Sequence, residues 1–172
     1  MVLGAGVIVR AEADAPRTIC DALQPTATPP INLAVLVAWT LIMLVWMAAT
    51  RLPAMRKMGG LGNAKPGGRG QTLEGVIDDR INWKSHNYSH LMEQPTLFYA
   101  VVAILAIMGP GATDVLFAWA YVAIRIVHSV WQATVNRVPI RFGLFALSTL
   151  CLLVLAIRAV MLTLFANPGV VA

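Results

Sequence analysis

Apolar residues in this chain gather into four long blocks, separated by breaks rich in polar residues, glycine or proline. The first block runs from Ile31 to Thr50 without a formal charge. At about 1.5 Å per helical residue it is long enough to cross a hydrocarbon layer roughly 30 Å thick. Arg51 and Pro53 close it. The second block, 82–108, starts polar, becomes apolar from Leu97 and contains Pro95, and Gly109, Pro110 and Gly111 stop it sharply. The third, 115–135, carries Arg125, His128 and Gln132 inside an otherwise apolar pattern. The fourth, 142–165, carries Arg158 and ends before Asn167, Pro168 and Gly169. These blocks predict an all-α protein, an integral membrane four-helix bundle. No internal repeat is evident.

The remaining segments read as extramembrane. Residues 1–30 combine a short apolar start with Arg10, Glu12, Asp14, Arg17 and Asp21, and Pro25, Pro29 and Pro30 precede the first block. The start lacks the basic region of a signal peptide, so an N-terminal arm that is retained is expected. Residues 51–81 form a loop with the stretch GGLGNAKPGGRG, which is not a P-loop and reads as a flexible linker. Residues 31–166 make up the membrane domain, and 167–172 are a tail.

Composition narrows the classes further. Apolar residues are 58% and charged residues 12% of the 172-residue chain, with a mean hydropathy of +0.72. That is about half the usual charge of a soluble domain, too little to coat a globule, and the apolar content excludes a disordered chain. The net charge of +5 does not indicate nucleic acid, because no basic stripe is interleaved with exposed aromatics. Instead, Lys and Arg concentrate in two breaks: Arg51, Arg56, Lys57, Lys65, Arg69, Arg80 and Lys84 in one, Arg137 and Arg141 in the other. The opposite side has Arg10 and Arg17. This asymmetry predicts that the two basic loops are cytoplasmic and both termini lie on the non-cytoplasmic side. Cys20 and Cys151 form no CxxC pair, and Cys151 sits in an apolar run as a small core residue.

Ionisable side chains inside a membrane helix cost at least about 2.5–3.5 kcal/mol near its centre, so those present carry information. In the third block Tyr121, Arg125, His128, Gln132 and Asn136 recur at helical spacing and share one face. They line either a site between helices or a hydrogen-bonded seam that holds helices together. In the second block Asn82, His86, His90 and Glu93 form another stripe. Glu93 needs a cationic partner, with Arg125 the first candidate and Arg141 the next. His86, His90, Glu93 and His128 include metal-ligand types, but HxxxHxxE is not HExxH and no metal is expected. Arg137 and Arg141 share a face if Pro139 falls in the first turn of its helix. Arg158 is expected to snorkel at the far membrane face. The tryptophans Trp39, Trp46, Trp119 and Trp131 read as packing or interfacial belt residues. Arg51, His90, Glu93, Arg125, His128 and Arg141 together predict a cation-rich pocket, suited to a small ligand with more than one carboxylate and an amine.

At these residues the sequence resembles the MAPEG family, the membrane-associated proteins of eicosanoid and glutathione metabolism, in a bacterial-type form. The resemblance covers roughly Ile31 to Phe165. It rests on Arg51 closing the first helix, HLMEQPTLF with Glu93, Pro95 and Phe98, RIVHS with Arg125 and His128, and NRVPIR leading to Arg141. It implies a homotrimer of four-helix bundles in an inner membrane, with glutathione between neighbouring subunits near the cytoplasmic side. It also implies a transferase or peroxidase acting on lipophilic electrophiles that enter from the bilayer. Positions matching Arg51, Glu93, Arg125, His128 and Arg141 contact glutathione in such proteins, and the one matching Arg141 stabilises its thiolate. Four positions depart from the family pattern. His90 stands for the usual Asn, Gln132 and Phe145 stand for tyrosines, and Phe142 stands for a small hydroxyl residue. His90 and Gln132 keep hydrogen-bonding capacity, so the cofactor-binding set becomes Arg51, His90, Glu93, Arg125, His128 and Gln132, with Arg141 catalytic. The alternative is a non-catalytic accessory or structural subunit of a larger membrane complex. A transporter is disfavoured, because paired broken helices are absent.

Overall fold

The computed structural model describes residues 30–60, 67 and 70–165. The N-terminal arm, most of the Gly-rich stretch and the C-terminal tail lie outside the described residues. Four helices account for nearly all of the described chain: α1 (Ile31–Lys57), α2 (Asp79–Met108), α3 (Ala112–Thr134) and α4 (Val138–Leu164). A short 3-10 turn, Gly70–Leu73, precedes α2. All four helices are long and apolar enough to cross a membrane. The protein is therefore an all-helical, multi-pass integral membrane protein.

The helices extend past the apolar blocks that announce them. α1 continues through Pro53 to Lys57, and its 27 residues span about 40 Å, more than the roughly 30 Å hydrocarbon layer requires. The charged residues Arg51, Arg56 and Lys57 all fall in the last turns of this helix. α2 begins at Asp79 because the Asp78 carboxylate accepts the Arg80 N–H at 2.7 Å, a side-chain cap for an otherwise orphaned donor. α4 begins at Val138 with Pro139 in its first turn, where the missing N–H costs nothing.

The short connections Gly109–Gly111 and Val135–Arg137 make α2, α3 and α4 successively antiparallel. α3 packs on every other helix, whereas α1 and α4 scarcely meet. Mean hydropathy over the best window is 2.2, 1.7, 1.3 and 2.3 for α1 to α4. The least apolar helix is thus also the most enclosed, which explains how it can carry polar residues through a membrane. The other helices turn apolar side chains outward, with Val45 67%, Ile107 83% and Leu150 59% exposed to what would be lipid. Inside, Leu36, Phe98, Val102, Leu105, Tyr121, Val122, Leu152 and Leu155 form the main core. Phe98 stacks on Tyr121 with ring centroids 4.2 Å apart. Cys151 is buried with a free thiol.

At the end formed by the α2–α3 turn, Asp114 is 2% exposed and accepts from Arg158 Nε at 2.9 Å and Nη2 at 3.2 Å. It also accepts the Gly111 N–H at 2.9 Å, satisfying the start of α3. Arg158 therefore does more than reach for the interface: it clamps the end of α4 to the beginning of α3. Gly109, at φ +85°, supplies a backbone conformation in the preceding turn that side chains disfavour.

Candidate functional site

The opposite end of the bundle gathers the termini of all four helices around a polar cleft of about 370 Å³. α1 contributes Arg51, α2 contributes Ser85, His86, Ser89, His90 and Glu93, α3 contributes Gln132, and α4 contributes Arg141. Gly70, Gln71 and Glu74 close the outer wall. A second cavity of about 210 Å³ adjoins it, lined by His90, His128, Val138, Arg141, Phe142 and Phe145. The first is lined by polar and charged side chains, and the second sets His90, His128 and Arg141 against Val138, Phe142 and Phe145.

Arg51 organises the outer wall. Its guanidinium donates to the Ser85 hydroxyl and to the Gly70 carbonyl. A Cβ at position 70 would stand 3.3 Å from Arg51 Nη1, so glycine there admits the guanidinium. Glu74 then meets His86 at 2.8 Å. Asn82, 3% exposed, donates to the Leu73 carbonyl at 3.3 Å and holds the same segment against α2. The end of the loop that reads as a linker is thus a folded wall.

Arg125 lies deeper and is fully buried, 0% exposed. Its Nη1 is 3.3 Å from His90 Nδ1, and its Nη2 donates to the His90 carbonyl at 3.1 Å. Pro95, inside the same helix, lacks the N–H that would bond the Leu91 carbonyl, one residue beyond the carbonyl that Arg125 engages. The Tyr121 ring lies 5.9 Å from the guanidinium carbon. The expected partnership between Arg125 and Glu93 is not formed. Glu93 is exposed on the cleft, and among the described residues no ion pair engages it. Arg125 points into the helix packing instead, where a carbonyl dipole and a ring nitrogen receive its charge.

His128, 2% exposed, stacks on His90 with ring centroids 5.0 Å apart and planes inclined by 24°. Phe145 meets His90 edge-on at 5.3 Å. Neither His128 Nε2 nor Gln132 Oε1 has a protein partner, although both are buried. Arg141 donates to Asn136 Oδ1 at 2.8 Å. Asn136 belongs to the turn after α3 rather than to its polar face, with φ +53°, a left-handed conformation that Asn tolerates better than most residues.

The structure brings Arg51, His90, Glu93, Gln132 and Arg141 to one cleft and places His128 on the adjoining cavity. Arg125 stands behind His90 rather than in the cleft. The stripe Asn82, His86, His90 and Glu93 divides, because Asn82 turns toward the loop while the others face the cleft. Sequence reasoning missed Gln71, Glu74, Ser85 and Ser89. Ser85 and Ser89 flank the His86–His90 step and were legible as a wider polar face, whereas nothing local marks Gln71 or Glu74. Also unforeseen is the bond between Asn87 and Ser129, both 0% exposed, with Asn87 Nδ2 donating to Ser129 Oγ at 2.8 Å. It is a seam in the strict sense, directly beside the site.

Comparison with known proteins agrees with this architecture. No curated protein and no solved structure matches the chain. A sequence model of the MAPEG family matches residues 30–161, which includes α1 to α3, α4 as far as Met161, and every described residue of the cleft. A polytopic four-helix bundle with that match over most of its length belongs to the MAPEG family.

Proposed function

We propose that this protein is a glutathione-dependent transferase or peroxidase acting on lipophilic electrophiles. The observation that carries the reading is the convergence of Arg51, Arg141 and the outward-facing Glu93 on one cleft. Glutathione bears two carboxylates and one ammonium, and guanidiniums and a carboxylate are the complementary charges. Arg141 is the catalytic cation. A free thiol has a pKa of about 8.5, and an adjacent cation raises its thiolate fraction at neutral pH. In the transferase reaction the sulfur attacks an electrophilic carbon, a C–S bond forms, and the leaving group departs with the bonding electrons. The electrophile enters from the bilayer. On this reading the cleft faces the cytoplasm, as the Lys/Arg distribution predicts, and three copies of the chain assemble.

Isothermal titration of the purified protein with glutathione in mild detergent tests the proposal. Saturable binding that is lost in Arg141→Ala is expected. The absence of saturable heat at millimolar glutathione rejects it.

One observation favours the accessory-subunit reading: Arg125 makes its contacts inside the bundle, with His90 and the Tyr121 ring, as a structural seam would. Mild-detergent purification separates the two. Stoichiometric co-purification with a larger complex favours the accessory role, and a homo-oligomer free of partners disfavours it.

A further inference from the structure

Among the described residues, two line both cavities: His90 and Arg141. They form the junction between a polar compartment, fitted to a charged peptide, and a smaller mixed one that adds His128, Val138, Phe142 and Phe145. Bond formation between a polar co-substrate and a lipophilic partner requires their reacting atoms to meet, and this junction is where the two compartments meet.

The chemistry of His90 is constrained by what stands behind it. A guanidinium has donors and no acceptor. Its contact with His90 Nδ1 at 3.3 Å therefore requires that nitrogen to accept. A neutral imidazole whose Nδ1 accepts carries its proton on Nε2. The second bond, from Arg125 Nη2 to the His90 carbonyl at 3.1 Å, ties the same guanidinium to the backbone that bears the ring. Stacking on His128 at 5.0 Å and the edge contact with Phe145 at 5.3 Å hold the ring plane from two sides. His128, itself 2% exposed with Nε2 unpartnered, adds a buried polar atom on the aromatic side of the junction.

We infer that His90, held as an Nε2–H donor by Arg125, seats the reacting sulfur jointly with Arg141, and that Arg125 is a positioning residue rather than a ligand contact. This inference rests on the glutathione reading and deepens it. Arg141 supplies charge, while His90 supplies a directed hydrogen bond that selects a soft anion at the cavity junction. A carboxylate held elsewhere in the cleft does not require it.

The test uses the full-length protein in mild detergent. The chain has three histidines, so selective 15N-histidine labelling, with His86→Gln and His128→Gln for assignment, reads the His90 tautomer without any ligand. The Nε2–H form is expected in the wild type and a mixture in Arg125→Met. Thiolate absorbance of bound glutathione at neutral pH reads the seat. His90→Phe keeps a ring without the donor, and loss of a hydrogen bond to a charged acceptor should lower the thiolate fraction roughly tenfold to hundredfold. Affinity for S-methylglutathione, which has no thiolate, should stay within about twofold, because it does not use this bond. His90→Gln places an amide oxygen toward Arg125 and an NH2 toward the sulfur, and should rescue the signal. His90→Glu keeps the acceptor without a donor and should not, so the Gln/Glu pair decides the matter if His90→Phe fails to fold. An undiminished thiolate signal in His90→Phe or His90→Glu, or an Nδ1–H tautomer in the wild type, overturns the inference while leaving glutathione binding intact. A wild type that binds neither glutathione nor its S-methyl form rejects the functional reading and this inference together.

Discussion

Arg125→Met separates a side chain kept for function from one kept for stability. The guanidinium is 0% exposed and has no carboxylate within ion-pair distance. Its two bonds, at 3.3 and 3.1 Å, are longer than the roughly 2.7–2.9 Å of strong charge-assisted bonds. Each therefore belongs at the low end of the charged range, about 1.5 kcal/mol. The opposing desolvation of a buried ion amounts to several kcal/mol. Methionine fills a similar length of core without that cost, so folding should be unchanged or stabilised by about 1–3 kcal/mol. His90 meanwhile loses the donor that fixes it. Reversible unfolding in mixed micelles, followed by helical circular dichroism, gives the stability, and glutathione titration gives the site. Destabilisation by more than about 1 kcal/mol would refute the reasoning, since it would make Arg125 a net contributor to the bundle rather than a cost borne for the site.

The other predictions concern the frame of the bundle. A double-mutant cycle on Asn87 and Ser129 should give a coupling of about 0.6 kcal/mol, and no more than about 1.7 kcal/mol, by micellar unfolding, the average and the upper end for hydrogen bonds between membrane helices. Phe98→Ala, which removes a fully buried ring stacked on Tyr121, should cost about 3–5 kcal/mol in the same assay. Gly109→Ala should cost about 1–3 kcal/mol through backbone strain at φ +85°, because no atom lies close enough to clash with the new methyl. Gly70→Val should weaken glutathione affinity by at least severalfold in titration calorimetry, since its Cβ would press on the Arg51 guanidinium.

Much of this molecule was legible in the residues themselves. Hydrophobicity along the chain announces four helices because lipid demands uninterrupted apolar length, and the Gly109–Gly111 break is unambiguous for the same reason. The exact ends were not legible. Beyond the lipid a helix no longer needs apolar residues, so Arg51 to Lys57 and Asp79 to Ile81 continue helices on local hydrogen bonding alone. The facing of the α3 stripe was readable from its period, yet the partner of each side chain was not. Charge arithmetic joins Glu93 to Arg125, whereas the guanidinium binds the His90 carbonyl and ring nitrogen and the carboxylate stays outside on the cleft. Glu74 and Gln71 entered the cleft through the path of a loop, which no pattern of spacing encodes. Arg158 read as an anchor because its acidic partner, Asp114, lies far away in sequence at the start of another helix.

The Asp114–Arg158 clamp has a mechanical consequence. It fastens α3 to α4 at the end remote from the cleft, where Gly111 also ties into the same carboxylate. The cleft end has no corresponding ion pair between these two helices among the described residues. There the three-residue turn Val135–Arg137 joins them instead, so α3 and α4 are fastened at both ends and move as one body. Parting His90 on α2 from Arg141 on α4 to admit a guest therefore means shifting α2 against that fastened pair, a movement that leaves the clamp untouched.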